Sequence, residues 1–162
     1  MNSKYLVDAN IFIRAYRETY PMDIFPSFWE QLLEKGGPKI ILLDKVYDEI
    51  LKGNDDLVKW IKNYKNRFTN ICCNDLDIIS CYKEIANSIQ SNSRYNDNAI
   101  YEYFDVADSW VCAAAKAKNL IVVTNEVKSN ATKRVKIPDV CERFSIEYKN
   151  AISFIRDLGM EF

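Results

Sequence analysis

The chain has 162 residues, of which 48% are hydrophobic and 28% charged, and a formal net charge of −1. That length suits one domain over residues 1–162 with a sizeable core, and the composition is that of a soluble globular protein. The near-neutral balance excludes a global basic field, so nucleic-acid binding would need a local patch. No apolar run approaches the roughly 18 residues that span a bilayer, so no membrane partner is expected. The sequence has no histidine. Metal or acid–base chemistry must therefore run on carboxylates, and oxygen donors select hard divalent cations and phosphate chemistry. The 5 cysteines are Cys72, Cys73, Cys81, Cys112 and Cys141. They form no C-x-x-C pair, which argues against zinc. Their odd number and the lack of a signal-peptide pattern predict reduced thiols and a cytoplasmic location.

In chain order, Tyr5 to Val7 reads as a short buried strand. Ile11 to Tyr20 has helical spacing and stops at Pro21. Ser27 and Glu30 form a capping-box pattern behind Pro26, which predicts a helix running to Gly36-Gly37. Ile40 to Leu43 is a continuous apolar run, hence a strand buried on both faces. Asp44 is placed to cap the helix carrying Val46, Ile50 and Leu51, which ends at Gly53. Amphipathic helices follow over Asp56 to Tyr64 and Leu76 to Ile89, with a polar loop from Ser91 to Asp97.

An alanine-rich helix is expected from Val106 to Ala117, and a strand from Leu120 to Val123. A polar, basic stretch covers Ser129 to Arg134. Pro138 opens a short helix, Ile146 to Tyr148 reads as an edge strand, and Ile152 to Leu158 as a last helix before Gly159. Strands alternating with helices give βαβ units. The expected fold class is α/β, a three-layer sandwich with a central, mostly parallel sheet flanked by helices.

In open α/β sheets ligands bind beyond the carboxyl ends of the strands. Asp8 and Glu126 follow strand ends, Glu49 lies on the helix after the second strand, and Asp108 opens the helix leading to a later strand. One turn and two turns along from Asp108 stand Cys112 and Ala115, so its face looks inward, where a carboxylate needs a partner or a metal. Each acid also has an ordinary structural reading. Asp8 could be a helix cap, Glu49 a solvated helix residue, Glu126 a surface acid, and Asp108 the capping-box partner of Asp105. The case for a site rests on the acids together.

The segments Leu6-Val7-Asp8-Ala9-Asn10-Ile11-Phe12-Ile13, Val46-Tyr47-Asp48-Glu49-Ile50, Asp108-Ser109-Trp110-Val111-Cys112-Ala113-Ala114-Ala115 and Val122-Val123-Thr124-Asn125-Glu126 stand in this order. So arranged, the chain resembles the PIN-domain nucleases, and among them the VapC-type toxins. The tail through Lys133-Arg134-Val135-Lys136-Ile137-Pro138-Asp139 is similar to an uncharacterised bacterial PIN-like subgroup. The resemblance maps the family's acids to Asp8, Glu49, Asp108 and Glu126, and implies catalytic and metal-ligating roles for them with Mg²⁺ or Mn²⁺. The family's fourth acid is usually aspartate. Here it is Glu126, with Asn125 beside it.

The resemblance implies metal-dependent hydrolysis of RNA phosphodiesters, with an antitoxin protein and a second copy of the chain as candidate partners. Physically, neighbouring carboxylates repel until a cation neutralises them, and the cation acidifies a water and polarises the phosphoryl oxygen. Asn10 and Thr124 are placed to hydrogen-bond the carboxylates or a phosphate. Arg14, Arg17, Lys128, Lys133, Arg134 and Lys136 are the local cations that could hold an RNA backbone. Two other classes stay open: a catalytically degenerate PIN-like RNA-binding or interaction module, and an aspartate-nucleophile phosphatase or phosphoacceptor using Asp8. Against the phosphatase stands Asn10, where the haloacid-dehalogenase pattern has a second aspartate.

Overall fold

The computed structural model describes residues 3–129 and 132–162, so residues 130 and 131 of the basic stretch lie outside the described residues. The strands are β1 (Tyr5–Val7), β2 (Ile40–Leu43), β3 (Thr69–Ile71), β4 (Ile121–Val123) and β5 (Tyr148–Lys149). They form one sheet in the order β3-β2-β1-β4-β5, and every pairing is parallel. All side chains of β1 and β2 are buried, although neighbours on a strand point to opposite faces. Both faces of the sheet are therefore covered, as the expected layered α/β architecture requires.

The helices are α1 (Ala9–Arg14), α2 (Pro26–Gln31), α3 (Asp44–Leu51), α4 (Asp56–Tyr64), α5 (Leu76–Gln90), α6 (Asp97–Asp105), α7 (Asp108–Lys118), α8 (Ile137–Arg143) and α9 (Ala151–Leu158). Both α1 and α2 continue into π-helical turns, Ala15–Thr19 and Leu32–Gly36. The helix at Pro26 is not held by a capping box. Phe25 is its N-cap without a side-chain bond, and Ser27 instead accepts from Gln31 over 2.7 Å. The core joins the sheet to its helices through Phe12, Trp29, Ile61, Ile78, Val111 and Phe154, all buried. Gly159 ends α9 at φ 70, in the left-handed region that glycine enters without steric cost.

Two elements were invisible to periodicity. β3 is a short, partly exposed edge strand centred on Asn70, a residue poor in strand propensity. α6 grows out of the polar stretch because the Asn96 side chain accepts from the Ala99 N–H over 2.8 Å. The chain then breaks at Val106, which is extended, so α7 starts at Asp108 rather than at Val106. The last strand falls at Tyr148–Lys149, following Ser145 at φ 56.

Candidate metal and nucleic-acid site

The strand order turns back between β1 and β4, and this is where open α/β sheets have their crevice. Val7 pairs with Val123, so the next residues, Asp8 and Thr124, leave the sheet side by side. Asp8 is 1% exposed. Its Oδ2 accepts from the Thr124 hydroxyl over 3.3 Å, and Thr124 Oγ1 accepts from the Glu126 N–H over 3.1 Å. Asp8 occupies the N-cap of α1 without a well-formed side-chain capping bond, although the nearby Asn10 N–H works to lower its pKa. Asp8 Oδ1 is buried without any partner among the described residues.

Asp108 reaches the same edge through a return helix. α7 has 11 residues, a length of about 16 Å, and leads into β4 through Asn119 in the left-handed conformation. The helix N-terminus is thereby carried back to the carboxyl edge of the sheet. Asp108 is 6% exposed. Ala107, not Asp105, is the N-cap, and no side chain caps this helix. Glu49 comes from α3, which packs on α1. It is half-buried, and its Oε2 has no partner among the described residues.

The charges feel one another. Burial, followed by the charges of Glu126 and Glu49, pushes the Asp8 carboxyl up to about 7. Burial, then Asp8, Glu126 and Glu49, pushes Asp108 up to about 8, with Arg134 opposing. Burial also raises Glu49, partly offset by Lys52 and by the Ala107 amide. Such shifts mark carboxyl groups whose charge is opposed first by burial and then by one another.

Glu126 is spoken for inside the protein. Its Oε2 accepts from Arg134 Nη2 over 3.3 Å and its Oε1 from the Ile137 N–H over 2.9 Å, at the start of α8. As they stand, no three carboxylate or thiol groups among the described residues converge tightly enough to enclose a metal ion. The donor chemistry nevertheless fits a hard cation. The donors are oxygens, two of them are buried without a hydrogen bond, and burial and mutual repulsion raise the two aspartates. Asp8, Asp108 and Glu49 are the available ligands; Glu126 would have to leave Arg134 to join them.

An open cleft of about 430 Å³ lies against Asp8 and Glu126, and Asn10, Arg14, Lys128, Arg134 and Lys136 line it. Arg134 also lines the neighbouring depression that Asp108 faces. Thr124 does not line this cleft; it is buried beneath and holds Asp8. Lys133 is exposed, outside the lining of both. A third depression carries Glu49 with Lys45, Lys52 and Trp110. Lys45 stands 5.8 Å over the Trp110 ring, which stacks on Tyr82. These lysines follow from helical spacing around Glu49, at four residues before and three after, but nothing in the sequence alone marks them.

Asp44 belongs elsewhere. It is the first residue of α3, and its Oδ1 accepts from the Lys45 and Cys73 N–H groups over 2.8 and 3.1 Å. The Cys72 thiol donates to its Oδ2 over 3.3 Å. Burial works against its charge, but the hydrogen bonds from Cys73, Cys72 and Lys45 hold its carboxyl below the ordinary range. Asp44 ties the end of β2 to the turn after β3.

No curated protein matches the chain. Among solved structures, a chain of VapBC2 from Rickettsia felis, bound to a DNA fragment from their promoter, is similar with a TM-score of 0.56 and 16% identity. The match covers 90% of this chain and 97% of that one, and it shows a shared PIN-like fold. No helix among the described residues is long and apolar enough to cross a membrane. The family model described as "Domain of unknown function (DUF4411)" matches residues 5–162, and the chain belongs to that family.

Proposed function

We propose that this protein is a divalent-metal-dependent nuclease, an endoribonuclease that hydrolyses RNA phosphodiesters, and that it acts as the toxin of a toxin–antitoxin pair. One observation carries the reading: Asp8 and Asp108 are both buried and near enough for the charge of Asp8 to raise the Asp108 carboxyl, with Asp8 Oδ1 left without a hydrogen bond. An uncompensated anionic centre in that position calls for a cation. The fold likeness to a VapBC2 chain supports the class and the expectation of an antitoxin partner.

Asp8, Asp108 and Glu49 would hold Mg²⁺ or Mn²⁺, and Glu126 would join them on release from Arg134. When bound, the cation neutralises the carboxylates and polarises the phosphoryl oxygen. The chain does the rest. Thr124 holds Asp8 through Oδ2, and Oδ1, buried without a hydrogen bond, would be the ligand atom. Arg14, Lys128, Arg134 and Lys136 line the cleft and supply positive charge for phosphates on either side of the cut. Asn10 stands at the cleft wall as a neutral donor.

The test is cleavage of mixed RNA with Mg²⁺ or Mn²⁺ against chelator, beside Asp8→Asn. Metal-dependent cleavage that Asp8→Asn abolishes is expected. Full-rate cleavage by Asp8→Asn would overturn the assignment. A second reading, a degenerate RNA-binding module, is favoured by the double engagement of Glu126 with Arg134 and Ile137. Calorimetric titration separates the two, because a degenerate module shows no Mn²⁺ site that Asp8→Asn removes.

A further inference from the structure

Beside the acid cleft lies a second, tighter cavity of about 130 Å³. It opens between α1 with its π-helical turn, α2 and α9. Ile11, Arg14 and Asn125 line both the cavity and the acid cleft, so the two adjoin. Its walls include the buried rings of Phe12, Phe28 and Phe154. Tyr20, also in the lining, lies stacked on Phe28 at 4.3 Å and 7°.

The rim is polar, which a pocket for a purely aliphatic group would not need. Asn125 Oδ1 accepts from the Ala151 N–H over 3.0 Å, which fixes the amide and leaves its NH₂ to donate. Arg14 brings a guanidinium to the same wall. Planar aromatic walls, donors at the rim and a wall shared with the cleft that carries Asp8, Lys128, Arg134 and Lys136 suit a ligand with a flat ring joined to a phosphate.

We infer that this cavity is a nucleobase subsite, which takes one unstacked base of the nucleotide whose phosphate lies in the Asp8 cleft. Single-stranded nucleic acids are held in this way, with bases turned out of the stack onto aromatic side chains. The inference rests on the nuclease reading for its substrate but not for its geometry. The cavity favours single strands, because a base in a duplex must first give up its pairing and stacking to enter it.

The test uses 2-aminopurine riboside 5′- and 3′-monophosphates as fluorescent probes with the intact protein in Mg²⁺, and ribose 5-phosphate as a competitor without a base. Quenching on binding is expected, with ribose 5-phosphate weaker by roughly 5- to 150-fold, the worth of one base–aromatic stack. Ile152→Trp, at an exposed position on the rim, should block the nucleotide and leave ribose 5-phosphate binding unchanged. Equal competition by ribose 5-phosphate, or no quenching with either probe, would overturn the subsite. So would an Ile152→Trp protein that changes its oligomeric state in sedimentation while binding nucleotide normally, since the cavity would then be a protein interface. Base-dependent binding without RNA cleavage would reject the nuclease reading alone. RNA cleavage indifferent to the base and to Ile152→Trp would reject the subsite alone.

Discussion

Thr124 donates its hydroxyl hydrogen to Asp8 Oδ2 over 3.3 Å, and this bond joins the ends of the two strands where the sheet order reverses. The Glu126 N–H in turn orders the Thr124 oxygen. A buried carboxylate held through one oxygen is oriented, and its other oxygen is buried without a hydrogen-bond partner among the described residues. Thr124→Val keeps the shape and removes the donor. Groups that orient metal ligands typically affect affinity by about 10- to 100-fold. Thr124→Val should weaken Mn²⁺ binding within that range in calorimetry, whereas Thr124→Ser should retain it. Equal affinity in both variants would deny Thr124 a positioning role.

The titration of the aspartates gives a stability prediction with a definite sign. Asp8 and Asp108 have ordinary values of 3.8 and are raised to about 7 and about 8 in the folded protein. Between these limits the folded state binds more protons than the unfolded state, so unfolding free energy falls as pH rises. The stabilising contribution of the protonated carboxyls is complete below about pH 4 and is lost as pH passes through about 7 to 8. In chelator, Tm should decline across that window. Asp8→Asn should flatten the decline, and Mn²⁺ at pH 8 should restore Tm in the wild type but not in the variant. A flat metal-free profile would show that the acids do not share a buried field.

Much of this site could be read from the sequence because position along a βαβ unit fixes position at the sheet edge. Asp8 follows β1 and Glu126 follows β4, and parallel pairing alone brings them to one end. Asp108 could be turned inward by Cys112 and Ala115, both buried on its helix. What could not be read is engagement. Nothing in the order of residues says that Glu126 is held by the Ile137 N–H eleven positions on, or that Thr124 is buried under Asp8 instead of facing the cleft. Asp44 was separable from the acids as a local hydrogen-bonding residue, but its partners at Cys72 and Cys73 come from the turn after the neighbouring strand β3. The edge strand β3 and the helix α6 depend on such tertiary and capping contacts, which periodicity does not encode.

That difference between Asp44 and the crevice acids has a consequence for mutants. Asp44→Ala leaves the Cys73 N–H without its acceptor and should destabilise the fold by about 1–3 kcal/mol, as for a lost partner of a part-buried group. Mn²⁺ affinity should not change. Asp108→Asn should do the reverse: it relieves a buried charge, preserves or raises metal-free Tm at pH 8, and lowers Mn²⁺ affinity. Chemical denaturation and calorimetry on the two proteins separate a structural carboxylate from a ligand.

Arg134 gives the sharpest test of how the site balances charge. Its guanidinium pairs with Glu126 Oε2 over 3.3 Å, opposes the rise in the Asp108 pKa, and lines the depressions on both sides. It therefore competes with a metal for the same carboxylate field while offering positive charge to a phosphate. Arg134→Gln should raise Mn²⁺ affinity, because Glu126 is released and the field becomes more negative. The same change should weaken RNA binding and reduce the slope of log affinity against log salt by about one phosphate contact. Glu126→Gln should lower Mn²⁺ affinity even though its Oε1 can still accept from Ile137. If Arg134→Gln leaves both Mn²⁺ affinity and the salt slope unchanged, the Arg134–Glu126 pair is a surface contact, and Glu126 has no part in holding the cation.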